Sequence, residues 1–467
     1  RPPRSTLFPY TTLFRSTRHA PAFAATAPAG SIVARLWQTL PFELTGAQRR
    51  VWGDIEADLA SGLPMHRLVQ GDVGSGKTVI AALAAARAID AGYQVALMAP
   101  TEILAQQHFE RLARWLEPLG VNMVWLSGKL KTANKRAAQA AVSSGTGQLV
   151  IGTHALIQDA VCFARMGLAI VDEQHRFGVA QRLRLAGADA APHLLMLSAT
   201  PIPRTLAMSF LADLDVSTID ELPAGRSPVV TKLVSTARRQ EVLARIQAQA
   251  AGGHQAYWVC PLVDASEAID AQQELTAATT LFEATQRSLP NLRLGLLHGQ
   301  LPPEEKQAVM HAFAAGHIDV LVATTVVEVG VDVARASLMV VDHAQRFGLS
   351  QLHQLRGRVG RGSAQSYCVL LYDEPLSDAA RSRLKILFES TDGFEIARKD
   401  LALRGPGEFL GARQSGVPML RYADLAQDTK LLEQARDAAA WLLEHDALAA
   451  KRHAQRWLAA RVEYLGA

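Results

Sequence analysis

From residue 65 onward, short runs rich in apolar residues alternate with segments of helical spacing. The runs at 66–70, 94–99, 149–152, 168–172 and 194–198 are too short for helices, and each reads as a strand. Helical segments follow most of them. Strands that are apolar toward both faces and separated by helices predict a parallel sheet covered on both sides, the α/β doubly wound class. The turn-rich stretch Glu221-Leu-Pro-Ala-Gly-Arg-Ser-Pro228 interrupts this pattern. It restarts with strands at 256–260, 292–297, 320–323, 338–341 and 367–371. Beyond residue 373 no strand signal is left, and 384–403 and 431–458 show helical spacing separated by a Gly-rich insert. The predicted organisation is two tandem α/β domains, 31–222 and 223–373, and a helical region over 374–467.

Residues 1–30 hold Pro2, Pro3, Pro9, Pro21 and Pro28 without an apolar period and are expected to have no fold. Within them, Thr6-Leu-Phe-Pro-Tyr-Thr-Thr-Leu-Phe-Arg-Ser16 resembles the conceptual translation of a sequencing-library adapter, which would make it no natural segment. Composition narrows the class. With 49% hydrophobic and 20% charged residues the chain is neither disordered nor a membrane protein, and no run approaches the roughly 20 apolar residues of a membrane-spanning helix. A net charge of +4 on 467 residues permits nucleic-acid binding but does not argue for it. Cys162, Cys260 and Cys368 lie too far apart for a CxxC pair, and the expectation is three buried thiols in a reducing cytoplasm.

Chemistry enters with Gly71-Asp-Val-Gly-Ser-Gly-Lys77-Thr78, which fits GxxxxGK[ST] between a predicted strand and a predicted helix. Gly71, Gly74, Ser75 and Gly76 let backbone N–H groups turn toward phosphates. Lys77 would reach the β/γ-phosphates of ATP, and the Thr78 hydroxyl would bind Mg²⁺. The strand Leu168-Ala-Ile-Val-Asp172 then delivers two acids to its carboxyl end, where open α/β sheets bind ligands. Asp172 is the expected second Mg²⁺ ligand and Glu173 the base that orients the attacking water. Alone, such a pair would equally be a helix N-cap; beside a phosphate loop the catalytic reading wins. A third element, Gln354-Leu-Arg-Gly-Arg358-Val-Gly-Arg361, offers the cations that phosphoryl transfer requires. Because it lies in the second α/β unit, ATP is expected between the units, so that hydrolysis alters how they close.

This series resembles the motifs of the second helicase superfamily, carried on two RecA-like domains. The resemblance implies nucleic-acid contacts by Ala99-Pro-Thr101-Glu-Ile-Leu-Ala-Gln-Gln-His108 and by Ile151-Gly-Thr153-His154, and coupling by Ser198-Ala-Thr200 and by His175 after the acids. In the second unit it extends to His298-Gly299 and to Thr324-Thr-Val-Val-Glu-Val-Gly-Val-Asp332, with Asp332 at the nucleotide. Upstream, Phe42-Glu-Leu-Thr-Gly-Ala-Gln48 resembles the adenine-reading motif, in which Gln48 pairs with the base and Phe42 packs on it. Leu403-Arg-Gly-Pro-Gly-Glu-Phe-Leu-Gly-Ala-Arg-Gln-Ser-Gly416 is similar to the translocation motif of a fork-remodelling branch of the superfamily, which makes Arg404, Arg413 and Gln414 the coupling candidates. Without the family, Gly405-Pro406-Gly407 reads as a turn between helices.

The resemblance implies an ATP-dependent, Mg²⁺-requiring translocase or helicase on branched duplex DNA (stalled forks and Holliday junctions) in repair and recombination. A monomer is expected in the cytoplasm, with a single-stranded DNA-binding protein as a further partner. The rival readings are the motor module of a transcription-repair coupling factor and a catalytically silent nucleic-acid scaffold. The chain departs from the family pattern at Gln300 and at Ala334-Arg335, which bears on loop geometry and strand contact but not on the ATPase. The branch also carries an N-terminal wedge domain with an OB fold, to which nothing here corresponds, and the expectation is a truncated gene product.

Overall fold

In a computed structural model of the chain, the described residues are 20–23, 30–128, 130–158, 160–173, 192–199, 214–223, 228–261, 271–324, 333–360, 362 and 364–409. Between 434 and 452 they are 434, 435, 438, 441, 442, 445, 446, 448–450 and 452. The first domain runs α1 (Ile32–Thr39), α2 (Gly46–Ala60), β1 (His66–Gly71), α3 (Lys77–Asp90), β2 (Gln94–Met98), α4 (Glu102–Leu116), β3 (Met123–Leu126), α5 (Thr132–Ser143) and β4 (Leu149–Gly152), then β5 (Met166–Asp172), β6 (His193–Ser198) and β7 (Asp215–Ile219). The second runs β8 (Val230–Ser235), α6 (Arg239–Ala251), β9 (Gln255–Val259), α7 (Ala271–Ser288), β10 (Leu294–Leu297), α8 (Pro303–Ala314) and β11 (Val320–Ala323), then β12 (Ala336–Val341), α9 (Leu349–Arg356), β13 (Tyr367–Tyr372), α10 (Asp378–Glu389) and α11 (Gly393–Phe409). The chain divides into two units, each built on its own sheet, with the main breaks after Glu221 and after Leu403.

Among the described residues both sheets are parallel throughout, with strand orders β3-β4-β2-β5-β6-β1-β7 and β10-β11-β9-β12-β13-β8. This is the doubly wound α/β class expected, and its cause is visible in the packing. Val69, Leu97, Ile151, Ile170 and Leu197 point to one core, and their neighbours Leu68, Met98, Val150, Val171 and Met196 to another on the opposite face. Since successive strand side chains face opposite sides, two covered faces demand apolar residues at every position. The second sheet repeats the arrangement with Tyr257, Val259 and Met339 on one face and Trp258, Val340 and Val369 on the other. Helix α3 is buried from Val79 to Ile89, and its run of alanines allows that close approach.

Several expectations change. Residues 20–23 are ordered: Phe23 is 2% exposed and packs against Tyr93 and His193 in the first core, and its N–H donates to Leu59 O. One aromatic side chain that finds a pocket is enough to dock a segment without period of its own. The adapter-like stretch 6–16 lies wholly outside the described residues. Cys260 and Cys368 are buried, but Cys162 is exposed before β5. The helical region does not begin as a separate appendage, because Leu384, Leu387 and Ile396 join the second core. The stretch 384–403 is not one helix but breaks at Ser390-Thr391-Asp392, while 410–433 of the Gly-rich insert lie outside the described residues. There Ser390 is extended and Asp392 Oδ1 caps the next helix by accepting from Phe394 N, 2.8 Å away. Helix α11 then continues through Gly405, Pro406 and Gly407. Asp392 is the start signal of this helix.

Candidate active site

The loop after β1 is shaped by its glycines. Gly74 and Gly76 have φ of 80° and 88°, in the left-handed region that side chains disfavour. A Cβ on Gly76 would run into Gln48 Nε2, and one on Gly71 would lie 2.5 Å from Ser75 Oγ. Gln48 is buried. Its Oε1 accepts from Thr45 N at 2.9 Å, closing a capping box at the start of α2, while Nε2 donates to Ser75 O at 2.8 Å. In this structure Gln48 thus holds the phosphate loop. Lys77, the first residue of α3, donates from Nζ to Gly71 O at 2.7 Å across the loop. Thr78 follows on the same helical turn, half-buried. The Ser75 hydroxyl is fully buried with no hydrogen-bond partner among the described residues.

Asp172 ends β5, two strands from β1 in the same sheet. Its Oδ2 lies 2.7 Å from His108 Nε2, and its Oδ1 accepts from Glu173 N at 3.0 Å. Burial alone would push this carboxyl up. The hydrogen bond and charge of His108, with the charge of Lys77, outweigh burial and hold it below the ordinary carboxylate range. Glu173 has φ of 52°. For a residue with a side chain that conformation costs about 1–2 kcal/mol, and such strain concentrates where function fixes the backbone. His108 is the site residue that the sequence reading left without a role of its own. The available signal was a histidine among Ala105, Leu112 and Leu116 on the buried face of α4.

Because all strands run parallel, their carboxyl ends form one rim. In strand order the rim carries Thr153 after β4, Thr101 after β2, Asp172 on β5, Ser198 on β6 and Gly71 on β1. Thr153 and Ser198 are buried, and Thr101 caps α4 by accepting from Leu104 N. Phe42 is 44% exposed beside Trp115 and lines a cavity of about 480 Å³ with Trp37, Leu44 and Arg49. In the second domain Gln354 is buried on α9, and Arg358 follows the helix half-buried. Arg356 of the same run is structural: it donates to the carbonyls of Leu387, Ser390 and Thr391, and burial pulls its pKa down. Arg404 lies within α11, whose side chains from 404 onward are not described. His175, Thr200, Asp332, Arg361, Arg413 and Gln414 lie outside the described residues.

No group of three or more metal-binding side chains occurs among the described residues. The site nevertheless suits Mg²⁺, a hard cation that takes one or two protein oxygens and completes its shell with phosphate oxygens and water. The hydroxyl of Thr78 and the carboxylate of Asp172 are donors of that kind.

Residues 45–209 match the DEAD/DEAH box helicase model and 238–363 the helicase conserved C-terminal domain. Residues 390–460 match the model described as ATP-dependent DNA helicase RecG, domain 3, C-terminal. Over these residues the chain is similar to the helicase core and C-terminal region of RecG. It is 52% identical over 434 residues to the ATP-dependent DNA helicase RecG of Acidithiobacillus ferridurans, covering 92% of this chain and 63% of that protein. Against RecG of Escherichia coli strain K12 it is 51% identical over 438 residues, covering 93% and 63%. Among solved structures it resembles RecG bound to a three-way DNA junction, with a TM-score of 0.75 and 41% identity over 92% of this chain and 55% of that one. The chain thus spans about three-fifths of the length of the curated RecG proteins it matches.

Proposed function

We propose that the chain is the ATP-driven motor of a RecG-type helicase, moving on branched duplex DNA. What supports this reading is one rim on which the phosphate loop, Asp172 and Glu173 stand beside Thr101 and Thr153, in a chain half identical to RecG. The glycine-rich loop turns its N–H groups to the phosphates, and Lys77 releases Gly71 O to neutralise them. Thr78 and Asp172 hold Mg²⁺, which supplies charge neutralisation at the phosphates when bound. Glu173 orients the attacking water, and Arg358 and Arg361 supply the cations for the charge that develops on the transferred group. The cavity lined by Phe42 takes the adenine ring, and Gln48 and Asp332 are assigned to nucleotide binding with it. Thr101, Thr153, Ser198 and Thr200 meet the DNA backbone or pass its presence to the acids, with His175. Arg404, Arg413 and Gln414 convert domain movement into translocation.

The match of 390–460 to a RecG-specific model favours this reading over a coupling-factor motor. Among the described residues no helix is long and apolar enough to cross a membrane. Action as a monomer in the cytoplasm, with a single-stranded DNA-binding protein as a further partner, belongs to the same proposal. The test is phosphate release by the chain with Mg²⁺-ATP, with and without a three-way DNA junction. Release that the junction stimulates is expected; ATP turnover absent under both conditions would favour the silent scaffold.

A further inference from the structure

His108 is a buried polar side chain on an apolar helix face. With Ala105, Leu112 and Leu116 it forms the stripe by which α4 packs on the sheet. A leucine there would pack equally well, whereas an imidazole costs about 1–3 kcal/mol unless its N–H is satisfied. The partner that satisfies it is Asp172 Oδ2 at 2.7 Å, and both side chains are about nine-tenths buried. An ionised carboxylate only accepts, so Nε2 carries the proton. With Glu173 N bound to Oδ1, the carboxylate is held at both oxygens, from its own chain on one side and from a neighbouring helix on the other. Each oxygen keeps capacity for a further partner.

The helix that carries His108 follows β2, the strand paired with β5, and it starts at Thr101. Seven residues separate Thr101 from His108, about 10 Å along a helix. Thr101 stands on the half of the rim assigned to DNA, and Asp172 is the next position along it toward the phosphate loop, two strands from β1. One rigid element therefore joins the two.

We infer that His108 is the positioning residue of the metal-binding carboxylate: its Nε2–H fixes Asp172 in the orientation that receives Mg²⁺ and ties metal binding to the helix that begins at Thr101. The inference rests on the ATP–Mg²⁺ reading proposed above. Groups that hydrogen-bond a metal ligand typically change metal affinity 10- to 100-fold when removed.

The experiment is a Mg²⁺ titration of fluorescent ATP-analogue binding to the parent chain, His108→Ala and His108→Gln. Binding in EDTA, far-UV circular dichroism and the thermal midpoint accompany it. Glutamine places an N–H donor near the position of Nε2. His108→Ala is expected to raise the half-saturating Mg²⁺ concentration about tenfold or more, with metal-free nucleotide affinity and secondary structure unchanged. His108→Gln should return it to within about threefold of the parent, since the hydrogen bond is restored. If the alanine variant does not fold, His108→Leu fills the space without a donor and is compared with His108→Gln in its place. The inference is overturned by parent-like Mg²⁺ dependence in the variant that lacks a donor, by equal impairment of a folded glutamine variant, or by a matching loss of affinity in EDTA. Parent-chain nucleotide binding that is absent or indifferent to Mg²⁺ would instead overturn the ATP–Mg²⁺ reading, and the inference with it.

Discussion

Lys77 and Glu173 approach the phosphate site from two different strands, one through a helix N-terminus and the other through a residue with φ of 52°. On the proposed reading, removing either charge takes away a group that acts on the transferred phosphate or its water. Lys77→Ala and Glu173→Gln are each expected to lower phosphate release by about 10² or more while leaving the circular dichroism spectrum unchanged. Turnover close to the parent's in either variant would refute its assigned role. The strained backbone at Glu173 gives a second expectation. Replacing an ordinary residue by glycine usually costs about 0.5–1 kcal/mol, but here glycine relieves a conformation worth about 1–2 kcal/mol. Glu173→Gly should therefore unfold at no lower urea concentration than the parent although it is inactive, and a clear loss of stability would contradict the strain. The placement of Lys77 and Thr78 after the loop and of Asp172 and Glu173 at a strand end was legible in the sequence, because covalent spacing alone fixes it. His108 was not, because its partner lies 64 residues away and only packing brings them together.

At the scale of elements, the strands that the apolar pattern missed are β3, β7 and β8, all at sheet edges. Their burial is partial, with only Leu126 buried in β3, so half their positions tolerate polar residues and the continuous apolar run disappears. These edges carry specific close fits. Gly152 of β4 is in register with Leu126 of β3, and a Cβ there would lie well inside contact with the Leu126 carbonyl oxygen. Because backbone cannot yield as a side chain does, Gly152→Ala should destabilise the first domain by about 1–3 kcal/mol, read from its urea midpoint. A neutral effect would mean that β3 pairs less tightly than described. At the other sheet, Arg293 donates to both oxygens of Asp319 at 2.6 and 3.0 Å and clips β10 to β11. The Arg293 guanidinium holds the Asp319 carboxyl below the ordinary range. A depressed folded pKa means stability that is present above the unfolded value and lost as pH falls through the folded one. The pair is partly exposed, so the effect is small. Asp319→Asn should be less stable than the parent at neutral pH, and the gap should close as pH drops below about 4. A gap independent of pH would show that packing, not the ion pair, holds this edge.

For the molecule as a whole, a net charge of +4 spread over 467 residues would leave the proposed DNA affinity to a few local phosphate contacts. Each phosphate neutralised contributes about −0.9 to the slope of log affinity against log salt, so roughly four to six contacts predict a slope near −4 to −5. Fluorescence anisotropy with a three-way junction at increasing salt measures it, and a slope near zero would mean that the dominant contacts are not with phosphates. The sequence by itself determined, only in outline, the succession of the helices and of all strands but β3, β7 and β8, together with the two α/β units and the phosphate loop, since these follow from residue period and covalent spacing over a few turns. The lateral strand order was settled only in three dimensions, and with it the placing of Thr153, Thr101, Asp172, Ser198 and Gly71 along one rim. So was the entry of Phe23 into the core and of α10 into the second domain. The physical reason is that backbone ladder hydrogen bonds are the same for every residue type. Which strand lies beside which is decided by how side chains from distant segments fill the two faces of each sheet.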